Sequence, residues 1–244
     1  MSAKQRLCVA LDGSDRGWII STARALVDQV GWLKVGLEAF TAHGPNLVRE
    51  VGDLGPRVFL DLKLHDIPAT VGRAAANCAA CGASMFTVHA AGGRSMLKAA
   101  VEGAQQGSAG DPPHVVAVTV LTSLDRAALT ELDFPGQAAD LVKVWARLAR
   151  DCGLNGVVAS AHEAAALRQE NGDAFLIVTP GIRPAWSTTD DQRRVVTPAG
   201  AIRAGADVLV IGRPITGADD PIKAAKSVVE EMAAAAKNSK GDQL

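Results

Sequence analysis

The chain has 244 residues, 48% of them hydrophobic, so it can bury a sizeable core and has the length at which α/β barrels form one domain. Its 25 Lys and Arg against 26 Asp and Glu leave a formal charge of -1, and no basic stretch interleaves aromatics. That balance argues against a nucleic-acid or polyanion partner and leaves a small neutral or anionic metabolite as the expected ligand.

The first residues, MSAKQRLCVALD, lack an apolar signal-peptide core ahead of the first strand-like run, and no later run is long enough to span a bilayer. A soluble, cytoplasmic protein with no membrane partner is expected. Short apolar runs bounded by turn residues follow at 7–11, 33–35, 58–62, 85–88, 115–120, 156–159, 175–178 and 208–211. Between them lie amphipathic stretches such as 19–30, 139–152 and 222–235, each long enough for a crossover helix. Eight βα units predict an α/β fold of the closed (β/α)8 TIM-barrel type. The competing open, doubly wound sheet is disfavoured because the first run leads into Asp12-Gly-Ser-Asp15, without a G-x-G-x-x-G fingerprint. No linker or repeat divides the chain, so residues 1–244 are expected to form a single domain, with a fraying last helix and a disordered tail after about residue 236. Among the cysteines Cys8, Cys78, Cys81 and Cys152, the one close pair, Cys78-Ala-Ala-Cys81, has no second Cys or His pair nearby and reads as buried thiols.

In such a barrel the active site lies at the carboxyl ends of the strands, which makes the polar residues closing each apolar run the ones to collect. Asp12 ends the first run, Lys34 lies in the second, Asp61 and Lys63 end the third, and His89 ends the fourth. Thr119, Thr122 and Ser123 follow the fifth, Pro180-Gly-Ile-Arg183 the seventh, and Gly212-Arg213 the eighth. Within Asp61-Leu-Lys-Leu-His-Asp66, strand alternation turns Asp61 and Lys63 inward and Leu60, Leu62 and Leu64 toward the helices. A lone inward Asp and Lys would read as a buried ion pair. Asp12 and Lys34 at the same mouth extend it to a lysine–carboxylate array. A lysine flanked by carboxylates stays protonated, which suits a proton donor or electrostatic stabiliser and disfavours Schiff-base chemistry. Gly212 and Arg213, after the eighth run, fit a phosphate site of the kind barrels build there. The long segment 182–198, with Arg183, Gln192, Arg193 and Arg194, is expected to fold over the same anion as a lid.

These residues together resemble the orotidine 5′-phosphate decarboxylase family in its bacterial form, from residue 7 to about 215. The matching segments are Val9-Ala-Leu-Asp12, Lys34-Val-Gly36, Asp61-Leu-Lys-Leu-His-Asp-Ile-Pro68, Thr87-Val-His-Ala90, Val118-Thr-Val-Leu-Thr-Ser123, Thr179-Pro-Gly-Ile-Arg183, Asp191-Gln192, Arg194-Val195 and Ile211-Gly-Arg-Pro214. The resemblance implies loss of CO2 from orotidine 5′-phosphate to give UMP, the last step of de novo UMP synthesis, with no metal or organic cofactor. It makes Lys63 the acid that protonates C6, sets Asp61 beside the departing carboxylate, and gives the ribose hydroxyls to Lys34 and Asp12. It also implies a homodimer in which Asp66, with Ile67 and Thr70, completes the site of the second copy. Thr122 or Ser123 would contact the base, and Arg183, Gln192, Gly212 and Arg213 the phosphate.

The chain contains no tyrosine, whereas some members of the family use one near the phosphate. His65 and His89 read as packing or hydrogen-bonding residues, and His43, His114 and His162 have no assembled partners. A related magnesium-dependent branch, 3-keto-gulonate 6-phosphate decarboxylase and hexulose-phosphate synthase, shares D-x-K-x-x-D but places a metal-binding glutamate where this chain has Lys34. A non-catalytic barrel that binds a phosphorylated nucleotide is the alternative from another class.

Overall fold

Eight parallel strands close on one another in the computed structural model, which describes residues 1–134, 136–187 and 196–241, the last four of these as backbone. The strands are β1 (Leu7–Ala10), β2 (Trp32–Gly36), β3 (Arg57–Leu64), β4 (Met85–His89), β5 (His114–Val118), β6 (Gly156–Val158), β7 (Leu176–Thr179) and β8 (Val208–Ile211). They pair in chain order, and β8 returns to β1 through Leu7↔Leu209 and Val9↔Ile211. The expected single-domain (β/α)8 barrel is therefore the fold found.

Alternation along each strand divides the apolar residues into two layers. Cys8, Trp32, Phe59, Met85, Val116, Val178 and Val208 fill the lumen, while Leu7, Val9, Leu33, Val58 and Leu60 pack outward against the helices. Each fully buried Leu, Val or Phe contributes about 1.5–3 kcal/mol relative to exposure. Two residues further along each strand lies the lumen's upper layer. It consists of Ala10, Lys34, Asp61 and Thr87 on β1–β4, and of Val118, Val158, Pro180 and Val210 on or just after β5–β8. Except for Ala10, the half of the barrel mouth formed by β1–β4 is thus polar and the other half apolar, a division that follows from sequence alternation.

The opposite end is closed. The guanidinium of Arg57 lies 3.8 Å above the Trp32 ring, and Trp32 Nε1 donates to the Gln5 carbonyl at 3.1 Å. Gln5 belongs to a short helix, Ala3–Arg6, which is fixed by a capping box between Ser2 and Gln5 and was not apparent from the sequence. Gly31 packs against it so closely that a Cβ would lie 2.6 Å from Gln5 Cα. The four cysteines are free and buried, with burial pushing the Cys78 thiol up to about 12, in keeping with inert packing thiols.

Behind β3 and β4, the helices Pro68–Ala80 and Gly93–Gly107 pack backbone to backbone. A Cβ on Gly103 would lie 2.1 Å from the Gly72 carbonyl oxygen, and one on Gly107 2.1 Å from that of Ala76. Small residues at these crossings hold the two strands that carry Asp61, Lys63 and Thr87.

Several boundaries differ from the sequence expectation. The first crossover helix runs Arg16–Leu26 because the Asp15 carboxylate caps it, accepting from Trp18 N at 3.1 Å. The third strand continues past residue 62 to Leu64, and the last helix, Pro221–Gly241, contains the alanine-rich stretch 233–236. His43 has a partner after all: its Nε2 lies 2.8 Å from the Ser14 carbonyl. No helix among the described residues is long and apolar enough to cross a membrane.

Candidate active site

The polar half of the mouth holds a chain of alternating charges. Asp12, just past β1, accepts from Lys34 Nζ at 2.7 Å, and Lys34 Nζ also lies 3.7 Å from Asp61 Oδ2. Lys63 Nζ then sits 2.9 Å from both oxygens of Asp61. Exposure is lowest in the middle of this row. The Lys34 side chain is 9% exposed and that of Asp61 15%, against 32% for Lys63 and 57% for Asp12. Burial alone would lower the Lys34 ammonium, but Asp12 and Asp61, with the Asp12 hydrogen bond, outweigh it and hold its pKa above the ordinary lysine value. Lys34 is therefore charged throughout the physiological range. An added Cβ at Gly36 would lie 2.8 Å from both Asp12 Oδ1 and Lys34 Nζ, so a larger residue there would displace the ends of this ion pair.

The strand carrying the second pair is irregular. Lys63 has a left-handed backbone, φ 53°, which costs roughly 1–2 kcal/mol for a residue with a Cβ. It falls where the β3–β4 register shifts, between Leu60↔Phe86 and Leu64↔Val88. Despite this break, Asp61 and Lys63 meet in one cavity, as the alternation predicts, and the leucines beside them pack on the outer layer.

That cavity has a volume of about 460 Å³. Asp12, Lys34, Asp61 and Lys63 line one side of it, and Arg183, Gly212 and Arg213 line the side formed after β7 and β8. Gly181, at φ 74°, turns the chain after Pro180 so that Ile182 bridges Val196 and Arg183 N donates to the Val196 carbonyl at 3.1 Å. Arg183 is 7% exposed, and its Nε has no partner among the described residues. Arg213 is exposed and forms no ion pair among them. Two arginines without carboxylate partners among the described residues, at one end of a cavity, suit an anion. Gln192, Arg193 and Arg194 lie outside the described residues.

A second chamber of about 200 Å³ opens on the same Lys34, Asp61 and Lys63, and its far wall is Val118, Val120, Leu121, Val158 and Ala159. Of the two candidates after β5, Thr122 lines this chamber and Ser123 does not. The apolar wall went unremarked in the sequence, although it is the upper layer of β5 and β6 by simple alternation. Glu38, which accepts from Ser14 Oγ at 2.8 Å and lines the larger cavity, was also missed.

Three expected site residues do not enter the cavity of their own chain. Asp66 and Ile67 are exposed, Ile67 at 66%, and Thr70 is half-buried on the helix that follows; none of them lines either chamber. His89 also stays outside, stacked on His65 at 5.3 Å and edge-on to Trp145 at 6.4 Å. Burial, then His65 and Lys63, lower its pKa, so it is a neutral packing residue. No group of three or more His, Cys, Asp or Glu side chains among the described residues could hold a metal ion.

The chain is similar to known proteins over nearly its whole length. An orotidine 5′-phosphate decarboxylase of Heliobacterium modesticaldum is 50% identical over 237 residues, covering 96% of this chain and 98% of that protein. One from Anaeromyxobacter sp. (strain K) is 52% identical over 228 residues, covering 93% and 98%. The crystal structure of orotidine 5′-phosphate decarboxylase from Lactobacillus acidophilus superposes with a TM-score of 0.82 at 37% identity, over 93% of this chain and 98% of that one. Residues 5–228 match the family described as Orotidine 5′-phosphate decarboxylase / HUMPS, a span that contains every strand and every charged residue of the cavity. The chain belongs to that family.

Proposed function

We propose that the protein decarboxylates orotidine 5′-phosphate to UMP and CO2 without a cofactor. The observation that carries this reading is the Asp12–Lys34–Asp61–Lys63 row facing Arg183 and Arg213 across one cavity. Loss of CO2 from a pyrimidine ring leaves an electron pair on an sp2 carbon with no adjacent electron sink. Positive charge held at that carbon must stabilise it. In this reading the Lys63 ammonium does so, then transfers its proton to C6 as the C–C bond electrons settle there. Asp61 sits beside the departing carboxylate and holds Lys63 in place, while Lys34 and Asp12 take the ribose hydroxyls. Thr122 faces the base, and Arg183, Gln192, Gly212 and Arg213 take the phosphate.

The magnesium-dependent branch of the same family is the second reading. Against it stands Lys34, whose buried ammonium between Asp12 and Asp61 repels a divalent cation where that branch carries a glutamate. A non-catalytic nucleotide binder would have no use for a buried charge row at the base-facing end, where desolvation makes it costly. The ultraviolet absorbance of orotidine 5′-phosphate, followed with purified protein, tests the first reading against the other two. Conversion unaffected by a chelator is the expected result. Loss of conversion on chelation would show that a metal takes part, and no conversion at all would favour the sugar-phosphate branch or the binder.

The same reading makes the protein a homodimer in which Asp66, Ile67 and Thr70 of each copy complete the site of the other. Their exposure outside their own cavity supports this. Co-expression of Lys63→Ala with Asp66→Ala chains, each inactive alone, is then expected to restore about a quarter of wild-type activity, since half the dimers are mixed and each has one intact site. A mixture as inactive as its components would refute the shared site.

A further inference from the structure

We infer that Thr87 is a positioning residue for the charged pair, acting through both Asp61 and Lys63 without lining the cavity itself. This rests on the decarboxylation reading and extends it to a residue outside the charge row. Thr87 is wholly buried on β4, in the lumen's upper layer beside Asp61. Its neighbour β3 runs out of step here. From Leu60↔Phe86 to Leu64↔Val88, β3 advances four residues while β4 advances two, which removes regular ladder partners from the residues between. Lys63 N, inside this gap, donates instead to Thr87 Oγ1 at 2.8 Å. The same hydroxyl donates its hydrogen to Asp61 Oδ1 at 3.0 Å.

One oxygen therefore closes a ring of contacts. It satisfies the backbone N–H of Lys63 in its left-handed conformation and orients the carboxylate that the Lys63 ammonium grips through both oxygens. A hydroxyl can accept and donate at once, as this position requires, and no apolar residue of the same shape can. Thr87 would then set where the Lys63 ammonium stands, and the reaction depends on that position more than substrate affinity does.

The test compares wild type, Thr87→Val and Thr87→Ser by kcat and KM on orotidine 5′-phosphate, by affinity for UMP and by thermal unfolding. Valine keeps the shape and loses both hydrogen bonds; serine keeps both. The expected result for valine is a kcat lower by roughly 10- to 100-fold, from the loss of one neutral and one charge-assisted bond, with KM and UMP affinity within about threefold of wild type. Serine should return kcat to within about threefold. A purely structural role would lower the unfolding temperature and the fraction of intact sites, leaving kcat per UMP-binding site unchanged, and that outcome overturns the inference, as does a valine variant with wild-type kcat. If the valine protein does not fold, Thr87→Cys, whose thiol is a weak donor and acceptor, carries the same test: an intermediate kcat is expected, and a wild-type kcat overturns the inference. Wild-type protein inactive on orotidine 5′-phosphate would overturn the decarboxylation reading as well. Active wild type with an unaffected valine variant overturns the role of Thr87 alone.

Discussion

A Lys63→Ala variant should lose at least about 10⁴-fold in kcat/KM on orotidine 5′-phosphate, about 5.5 kcal/mol of transition-state stabilisation, while keeping its fold and its affinity for UMP. Both roles assigned to Lys63 disappear together: the charge beside the forming carbanion and the proton that quenches it. The rest of the site is arranged to survive the change. Asp61 keeps the Thr87 hydroxyl at 3.0 Å and the Lys34 ammonium at 3.7 Å, so its carboxylate is not stranded without a partner. Lys63→Arg separates the two roles further. A guanidinium keeps the charge, but it is planar, longer and a very poor proton donor, so it should rescue little. An alanine variant retaining a tenth or more of wild-type kcat/KM would remove Lys63 from the chemistry and move the proton to another donor.

Much of this site could be read in the sequence because alternation in a closed barrel is strict. Once 58–62 is recognised as a strand, Asp61 must face the lumen, and Lys34 follows from 33–35 in the same way. The four charged residues at the mouth are found where that logic puts them. Thr87 satisfies the same rule, yet a threonine on a buried strand is ordinary β-former material, and only the contacts to Lys63 N and Asp61 mark it out. The left-handed Lys63 was not legible at all. Regular alternation predicts the direction of its side chain correctly for a strand that is not regular there. The apolar chamber was overlooked for the reverse reason, since Val118 and Val158 look like core residues until Lys34 and Asp61 are seen to open onto them. Asp66 depends on a second copy of the chain, and a single sequence supplies that only through resemblance. Ser14 lies far from His43 along the chain, a loop-to-helix contact that no periodicity encodes.

Orotidine, the same substrate without its phosphate, should be decarboxylated at least about 10³-fold less efficiently, and the loss should include turnover at saturation as well as affinity. The physical reason is the distance between the two ends of the cavity. Arg183 and Arg213 stand after β7 and β8, across the barrel from Asp61 and Lys63 on β3, so a phosphate held by them would touch nothing that reacts. Its binding energy can raise the rate only by being spent on placement, holding the ring against the Lys63 ammonium. Ile182, which bridges Val196, and Arg183 line the same wall of the cavity, so an anion gripped by Arg183 lies beside that bridge. Arg213→Ala provides the internal control. It should cost about 10- to 100-fold on orotidine 5′-phosphate, the range for a charge-assisted hydrogen bond, and almost nothing on orotidine, which offers that arginine no partner. If orotidine turns over at saturation as fast as the nucleotide, or if Arg213→Ala slows both substrates equally, the arginines serve the fold or the general field of the cavity and phosphate binding does not drive the reaction.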